Sequence, residues 1–231
     1  MSPTFLTVPI QAKTPEEVVS SIPKQRQVQA IEVWLDQLKR TFQNPEAVTG
    51  LIKQLKKKTK KKLIIVCKNP LEKGKFTGSD KEKADLLIAA AHAGADYIDL
   101  GLHTKKAEIL RVREHKRRAK LIISHHNFDK TPPNKTLQSK IDQMKERGAD
   151  VIKIATMCTS VRDTERLMEL ALDLKDAKQK HIILGMGEPG IITRIFAKQI
   201  GNELNFVSVQ SKTAPGQCDL ETMLQFEKVL Q

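Results

Sequence analysis

Eight times along this 231-residue chain a short apolar run is followed by a stretch with helical spacing, and the alternation then stops. The runs occupy residues 5–10, 28–35, 63–67, 96–102, 120–124, 148–157, 181–186 and 204–209. Between them, apolar residues recur at three- and four-residue intervals, as at Val48, Leu51, Ile52 and Leu55, or at Leu167, Leu170, Ala171 and Leu174. Thr14 before Pro15 reads as a helix cap followed by the proline that favours a first helical position. Eight strand-helix units of about 29 residues predict a closed (β/α)8 TIM barrel forming one domain over residues 1–231. An open doubly wound sheet is the competing arrangement, and an alternation unbroken to eight favours the barrel.

In such a barrel the chemistry sits at the C-terminal strand ends and in the loops that follow. That rule selects Glu32, Lys68, Glu72, Asp99, the Ser124-His125-His126-Asn127 cluster, Lys153, Met186 and the loop 212–217. Lys153 stands out because two apolar residues flank it on each side, in Val151-Ile152-Lys153-Ile154-Ala155. Burial disfavours the ammonium and lowers a lysine's pKa, leaving neutral amine, the form that attacks a carbonyl carbon to make an imine. The competing readings are a lysine that snorkels to the strand end or pairs with a carboxylate. His125 and His126 follow the fifth run, so at most one of them points into the barrel mouth, where it can serve as base and then acid.

Two other patterns weaken on inspection. Gly185-Met186-Gly187-Glu188-Pro189-Gly190 fits G-x-G-x-x-G, but the next run has no acidic residue at its end to hold a ribose, so a tight barrel loop leading to Arg194 is expected. Ala214-Pro215-Gly216-Gln217 lacks the Lys-Ser/Thr ending of a phosphate-binding loop. The formal charge of +13 suits a small anionic substrate, and nine aromatic residues are too few to argue for stacked nucleic acid. The basic run 56–62 precedes a strand, which places it on the face opposite the chemistry, where solvated surface is expected. Cys67, Cys158 and Cys218 have no metal-like spacing, and Cys218 reads as an inert residue at a helix start. No run approaches membrane-spanning length and residues 1–11 lack an export signal pattern, so a soluble cytoplasmic protein is expected.

The set Ile31-Glu32-x-x-x-Asp36, Asp96-Tyr97-Ile98-Asp99-Leu100, Ser124-His125-His126-Asn127-Phe128-x-Lys130-Thr131-Pro132, Ala149-Asp150-Val151-Ile152-Lys153-Ile154-Ala155, Met186-Gly187-x-x-Gly190-x-x-Thr193-Arg194 and Ala214-Pro215-Gly216-Gln217 resembles the type I 3-dehydroquinate dehydratases of the shikimate pathway. The resemblance covers nearly the whole chain. It implies a barrel lyase of aromatic amino acid biosynthesis that dehydrates 3-dehydroquinate to 3-dehydroshikimate through a lysine imine, with no metal or organic cofactor. It assigns the imine to Lys153, acid/base work to His126 and orientation of that histidine to Glu72. Arg194 and Gln217 match the groups that hold the substrate carboxylate, and Glu32 the carboxylate that binds ring hydroxyls. Lys68 and Thr213 occupy further substrate-binding positions.

Three positions depart from the family pattern: Trp34 and Lys68 stand where arginines are usual, and Thr213 replaces a serine. An indole has one donor and no charge, and a lysine is a point charge in place of a planar fork. The imine machinery is therefore complete and the hydroxyl-binding wall altered, so restoring arginine at position 34 is expected not to lower turnover. Two alternatives differ in class: an imine-forming aldolase-like lyase, and a catalytically impaired barrel acting as a basic binding protein. Oligomeric state stays open, a homodimer being one expectation.

Overall fold

The computed structural model describes residues 4–209 and 215–230. Its strands are β1 (Phe5–Ile10), β2 (Ala30–Trp34), β3 (Lys62–Val66), β4 (Tyr97–Gly101), β5 (Lys120–Asn127), β6 (Val151–Met157), β7 (His181–Met186) and β8 (Leu204–Phe206). The helices are α1 (Pro15–Ser20), α2 (Pro45–Lys58), α3 (Asp80–Ala93), α4 (Lys106–His115), α5 (Asn134–Glu146), α6 (Val161–Asp176), α7 (Ile191–Ile195) and α8 (Leu220–Val229). Local chemistry starts several of them where the sequence reading places the starts. Thr14 and Asn44 cap α1 and α2 ahead of prolines, and Ser79 forms a reciprocal capping box with Glu82 at α3.

Each strand lies parallel to its sequence neighbour and β8 returns to pair with β1, which excludes the open doubly wound sheet. The remaining seam, between β7 and β8, is closed in part by a side chain. Glu203 N donates to His181 O at 2.8 Å, and the Asn202 amide clasps Ile183 by accepting from its N at 2.8 Å and donating to its O at 3.0 Å. The primary amide thus does the work of a strand residue where the short β8 ladder stops.

Alternation along the strands divides the core. Ile152 and Ile154 of β6 pack outward with Leu121 and Ile123 of β5 under the helices, while Val151 and Ala155 join Ile122, Ile182 and Leu204 inside the barrel. Lys153 therefore shares the inward face with Val151 and Ala155. The same alternation carries through β5, which continues to Asn127 because His126 pairs with Ala155 and Asn127 with Thr156. Both histidines are thus strand residues, where the sequence reading ends that strand at Ser124. The last strand is shorter than the run 204–209: β8 stops at Phe206, after which Ser208 bridges to Asp219.

The N-terminal end of the barrel consumes part of the lysine run. Lys56 and Lys62 pair with Asp96 at 2.6 and 3.1 Å, and Lys61 Nζ donates to the carbonyls of Gln25 and Val28. Only Lys57, Lys58 and Lys60 of the run are exposed without such a role, which weakens the basic-binding reading of this stretch. Beside them the buried Glu203 accepts from Tyr97 Oη and Lys120 Nζ, both at 2.6 Å, and from Lys180.

Candidate active site

At the opposite end a cavity opens at the C-terminal strand ends, lined by Glu32, Trp34, Lys68, Glu72, His126, Lys153, Arg194 and Gln217, with Ala155, Leu184, Met186 and Phe206 among its apolar walls. Every residue to which the family resemblance gives a part lies on it except Thr213, which is outside the described residues, whereas Asp99, Ser124, His125 and Asn127, selected by strand position, do not line it.

Lys153 is buried inside the barrel, and Nζ donates to Asp99 Oδ2 at 2.8 Å and to Glu32 Oε1 at 3.2 Å, with the Phe206 ring 4.7 Å away. This corrects the expectation of a lowered lysine pKa. Burial does pull it down, but the carboxylates of Asp99 and Glu32 outweigh that and hold it above its ordinary value. At neutral pH Lys153 is therefore an ammonium. Asp99 is itself fully enclosed and accepts from Ser124 Oγ at 2.6 Å. Burial raises its pKa, yet Lys153, Lys68 and His126 together bring it below the ordinary carboxylate value.

His126 faces the cavity two residue pairs beyond Lys153, while His125 points to the outer side of the barrel wall. Burial first, and then the neighbouring Lys68, push the His126 pKa below its ordinary value, so the imidazole is neutral at neutral pH. Its Nδ1 lies 3.2 Å from Glu72 Oε1, within hydrogen-bond reach but outside hydrogen-bond alignment, so the carboxylate stands ready to meet an imidazolium when one forms. Glu72 ends a 3-10 turn, Pro70–Glu72, that the αL residue Lys73 terminates. Burial raises the Glu72 pKa, and His126 with Lys68 more than reverses it. Its second oxygen lies 3.6 Å from His103 Nε2, and the Phe128 ring stacks on His126 with centroids 5.9 Å apart.

Arg194 is buried on α7, and among the described residues no carboxylate pairs with it and its Nε has no hydrogen-bond partner. Burial brings its pKa down to about 10, which still leaves a cation at neutral pH. The glycine pattern ahead of it serves close packing: a Cβ on Gly185 would sit 2.6 Å from Gly190 Cα, and Thr193 Oγ1 ties the turn by accepting from Gly185 N and donating to Gly190 O. Gly216, at φ 74°, rests on Gly187 where a Cβ would meet its carbonyl at 2.5 Å, and this contact delivers Gln217 to the cavity.

Comparison with known proteins agrees with this geometry. The family model for type I 3-dehydroquinase matches residues 6–231. The chain belongs to that family. The 3-dehydroquinate dehydratase of Coxiella burnetii (strain CbuK_Q154) is 34% identical over 223 residues, covering 96% of this chain and 91% of that protein. The 3-dehydroquinate dehydratase of Methanothermobacter thermautotrophicus is 34% identical over 220 residues, covering 94% and 93%. Among solved structures, the type I 3-dehydroquinate dehydratase of Clostridium difficile with covalently modified comenic acid superimposes with a TM-score of 0.89 at 26% identity, covering 100% of this chain and 93% of that one.

Within this type I 3-dehydroquinase barrel, sequence reasoning left two groups of the site without a part. Asp99 was selected by its strand-end position alone, and only the fold reveals that it is the nearer of the two partners of Lys153. Trp34 was read as a gap in the wall, whereas its ring Nε1 donates to Glu32 Oε2 at 2.7 Å and its face lies 4.3 Å from Lys68 Nζ. Strand alternation alone sets Trp34 on the same face as Glu32, whereas the contacts of Asp99 with Lys153 and of Trp34 with Lys68 cross between strands and need the fold. Among the described residues no group of three His, Cys, Asp or Glu side chains could hold a metal, and no helix is long and apolar enough to cross a membrane.

Proposed function

We propose that the chain dehydrates 3-dehydroquinate to 3-dehydroshikimate through an imine on Lys153, as a cytoplasmic single-domain barrel that needs no cofactor. The observation that carries this reading is a buried lysine between two carboxylates, beside a neutral histidine and across from a buried arginine that has no carboxylate partner among the described residues. Arg194 and Gln217 take the substrate carboxylate, the guanidinium fork matching it in geometry and charge. Glu32 takes the ring hydroxyls, and Lys68 and Thr213 fill further substrate-binding positions.

The Lys153 ammonium first yields a proton to Asp99, the nearer acceptor at 2.8 Å, and the amine adds to the C3 carbonyl carbon. Loss of water from the carbinolamine takes up that proton, so ammonium plus ketone gives iminium plus water. The carboxylates that held the ammonium then face the iminium. The iminium acidifies C2–H, neutral His126 takes that proton, and the electron pair passes into the enamine. As the enamine returns its electrons, the C1–O bond breaks and the imidazolium protonates the departing hydroxyl as water. Glu72, 3.2 Å from Nδ1, stabilises the transient imidazolium. Hydrolysis of the conjugated iminium releases the product enone and regenerates Lys153.

Borohydride added during turnover should reduce the iminium and leave a stable adduct on Lys153, read by peptide mass spectrometry. Product enone formed at full rate with Lys153 unmodified and no inactivation would sink the imine reading.

A further inference from the structure

Trp34 ends β2 in the cavity wall, where the family pattern has an arginine, and it is 9% exposed. Two contacts meet on it, and a third continues from Glu32. Its Nε1 donates to Glu32 Oε2 at 2.7 Å, the other Glu32 oxygen accepts from Lys153 Nζ at 3.2 Å, and the indole face lies 4.3 Å from Lys68 Nζ. The main chain reinforces this layout. Trp34 pairs in register with Val66, two residues before Lys68, and Asp36 anchors Lys68 by accepting from its backbone N at 3.0 Å.

We propose that Trp34 is a positioning residue of this site, its N–H fixing Glu32 against Lys153 while its ring seats the ammonium of Lys68. The proposal rests on the dehydratase reading for its kinetic arm only. A carboxylate with one oxygen tied to an indole cannot swing away from the amine it flanks, so the Glu32–Lys153 contact is preorganised before substrate enters. Lys68 makes no ion pair with a carboxylate among the described residues, and the aromatic quadrupole partly replaces that missing partner. Trp34 and Lys68 are thus a matched pair. A guanidinium at position 34 could still donate to Glu32, but it would set a like charge beside Lys68. On this proposal Trp34→Arg is expected to lower turnover in the Lys68 background.

Two substitutions separate the two halves of the role. Trp34→Phe keeps a ring and removes the N–H; Trp34→Leu removes both. For Trp34→Phe, kcat should fall about 10-fold with KM within about twofold, since small misplacements at reacting groups cost rate more than binding. Trp34→Leu should in addition raise KM about 10-fold, and that extra rise should vanish when Lys68→Met is already present, because the seat acts through Lys68. A second readout needs no substrate. Reductive methylation of Lys153 by formaldehyde and cyanoborohydride, followed against pH by peptide mass spectrometry, should shift to lower pH in Trp34→Phe as Glu32 loosens its hold on the ammonium.

A purely structural tryptophan would lower thermal stability and leave that profile in place. An unmoved Lys153 profile with unchanged kcat in Trp34→Phe overturns the proposal, as does a KM rise in Trp34→Leu that persists in the Lys68→Met background. If the native chain fails to turn over 3-dehydroquinate, the dehydratase reading falls, and the methylation profile still decides the part of Trp34.

Discussion

The two ends of this barrel hold similar groups in different states of completion. At the N-terminal end Glu203 gathers Tyr97, Lys120 and Lys180, and Asp96 gathers Lys56, Lys62 and the Leu63 backbone N, so each buried or half-buried carboxylate is met by donors. At the C-terminal end Lys153 is paired, but Arg194 is buried without a carboxylate partner among the described residues and Lys68 leans on an aromatic ring. Charge that the fold has already satisfied holds strands together. Charge left partly unmet is destabilising in the empty protein and becomes favourable only when an anion enters, which is how a pocket stores binding energy.

The sharpest way to break this contrast is to remove one charge from each end. Lys153→Ala should reduce turnover by about 10⁴-fold or more, because no other group can form the imine. Glu203→Gln, by contrast, should keep kcat within about twofold while lowering unfolding free energy by about 2–3 kcal/mol, through loss of a buried anion shared by three donors. A Glu203→Gln variant that unfolds no earlier than the native chain in urea would mean the N-terminal network is not structural.

A smaller effect of opposite sign is expected at the arginine. Arg194→Met should raise KM about 100-fold by removing the fork for the substrate carboxylate, while thermal stability stays level or rises, since the desolvation cost of a buried cation without a carboxylate partner disappears. Stability lost along with binding would show that the empty site satisfies Arg194 after all.

The mildest expectation concerns pH. Buried His126 has a folded pKa below its ordinary value of 6.5, and His125 is brought down to about 4, chiefly by burial in both cases. Such groups bind protons more readily in the unfolded chain, so stability is full above about 6.5 and declines as pH falls below it. Glu72 and Asp99, whose folded pKa values are depressed, add a further loss as pH falls through the carboxylate range. Urea midpoints measured between pH 7 and 4 should therefore fall, and the fall should be shallower in His126→Gln, where one of the buried imidazoles is gone. An equal fall in that variant would remove His126 from this account.

Much of the architecture was legible from the chain alone, because strand and helix periodicities, proline-assisted caps and turn glycines are local properties that repeat eight times. Once a barrel follows from that repetition, its C-terminal rule picks out Lys153, Glu72, the His125-His126 pair and the loop that carries Gln217 without knowledge of any contact, while the choice of His126 and the part of Arg194 came from the family resemblance. What stayed hidden depends on which side chains converge from distant strands. The lysine's charge state is set by Asp99 and Glu32, 54 and 121 residues away, so burial within its own strand predicted the wrong direction for its pKa. Trp34, two residues from Glu32 in sequence and one strand from Lys68 in space, read as a missing arginine and stands in the fold as the contact between them. Periodicity is written in neighbours along the chain, whereas the electrostatics of a pocket is written in distances that only closure of the barrel creates.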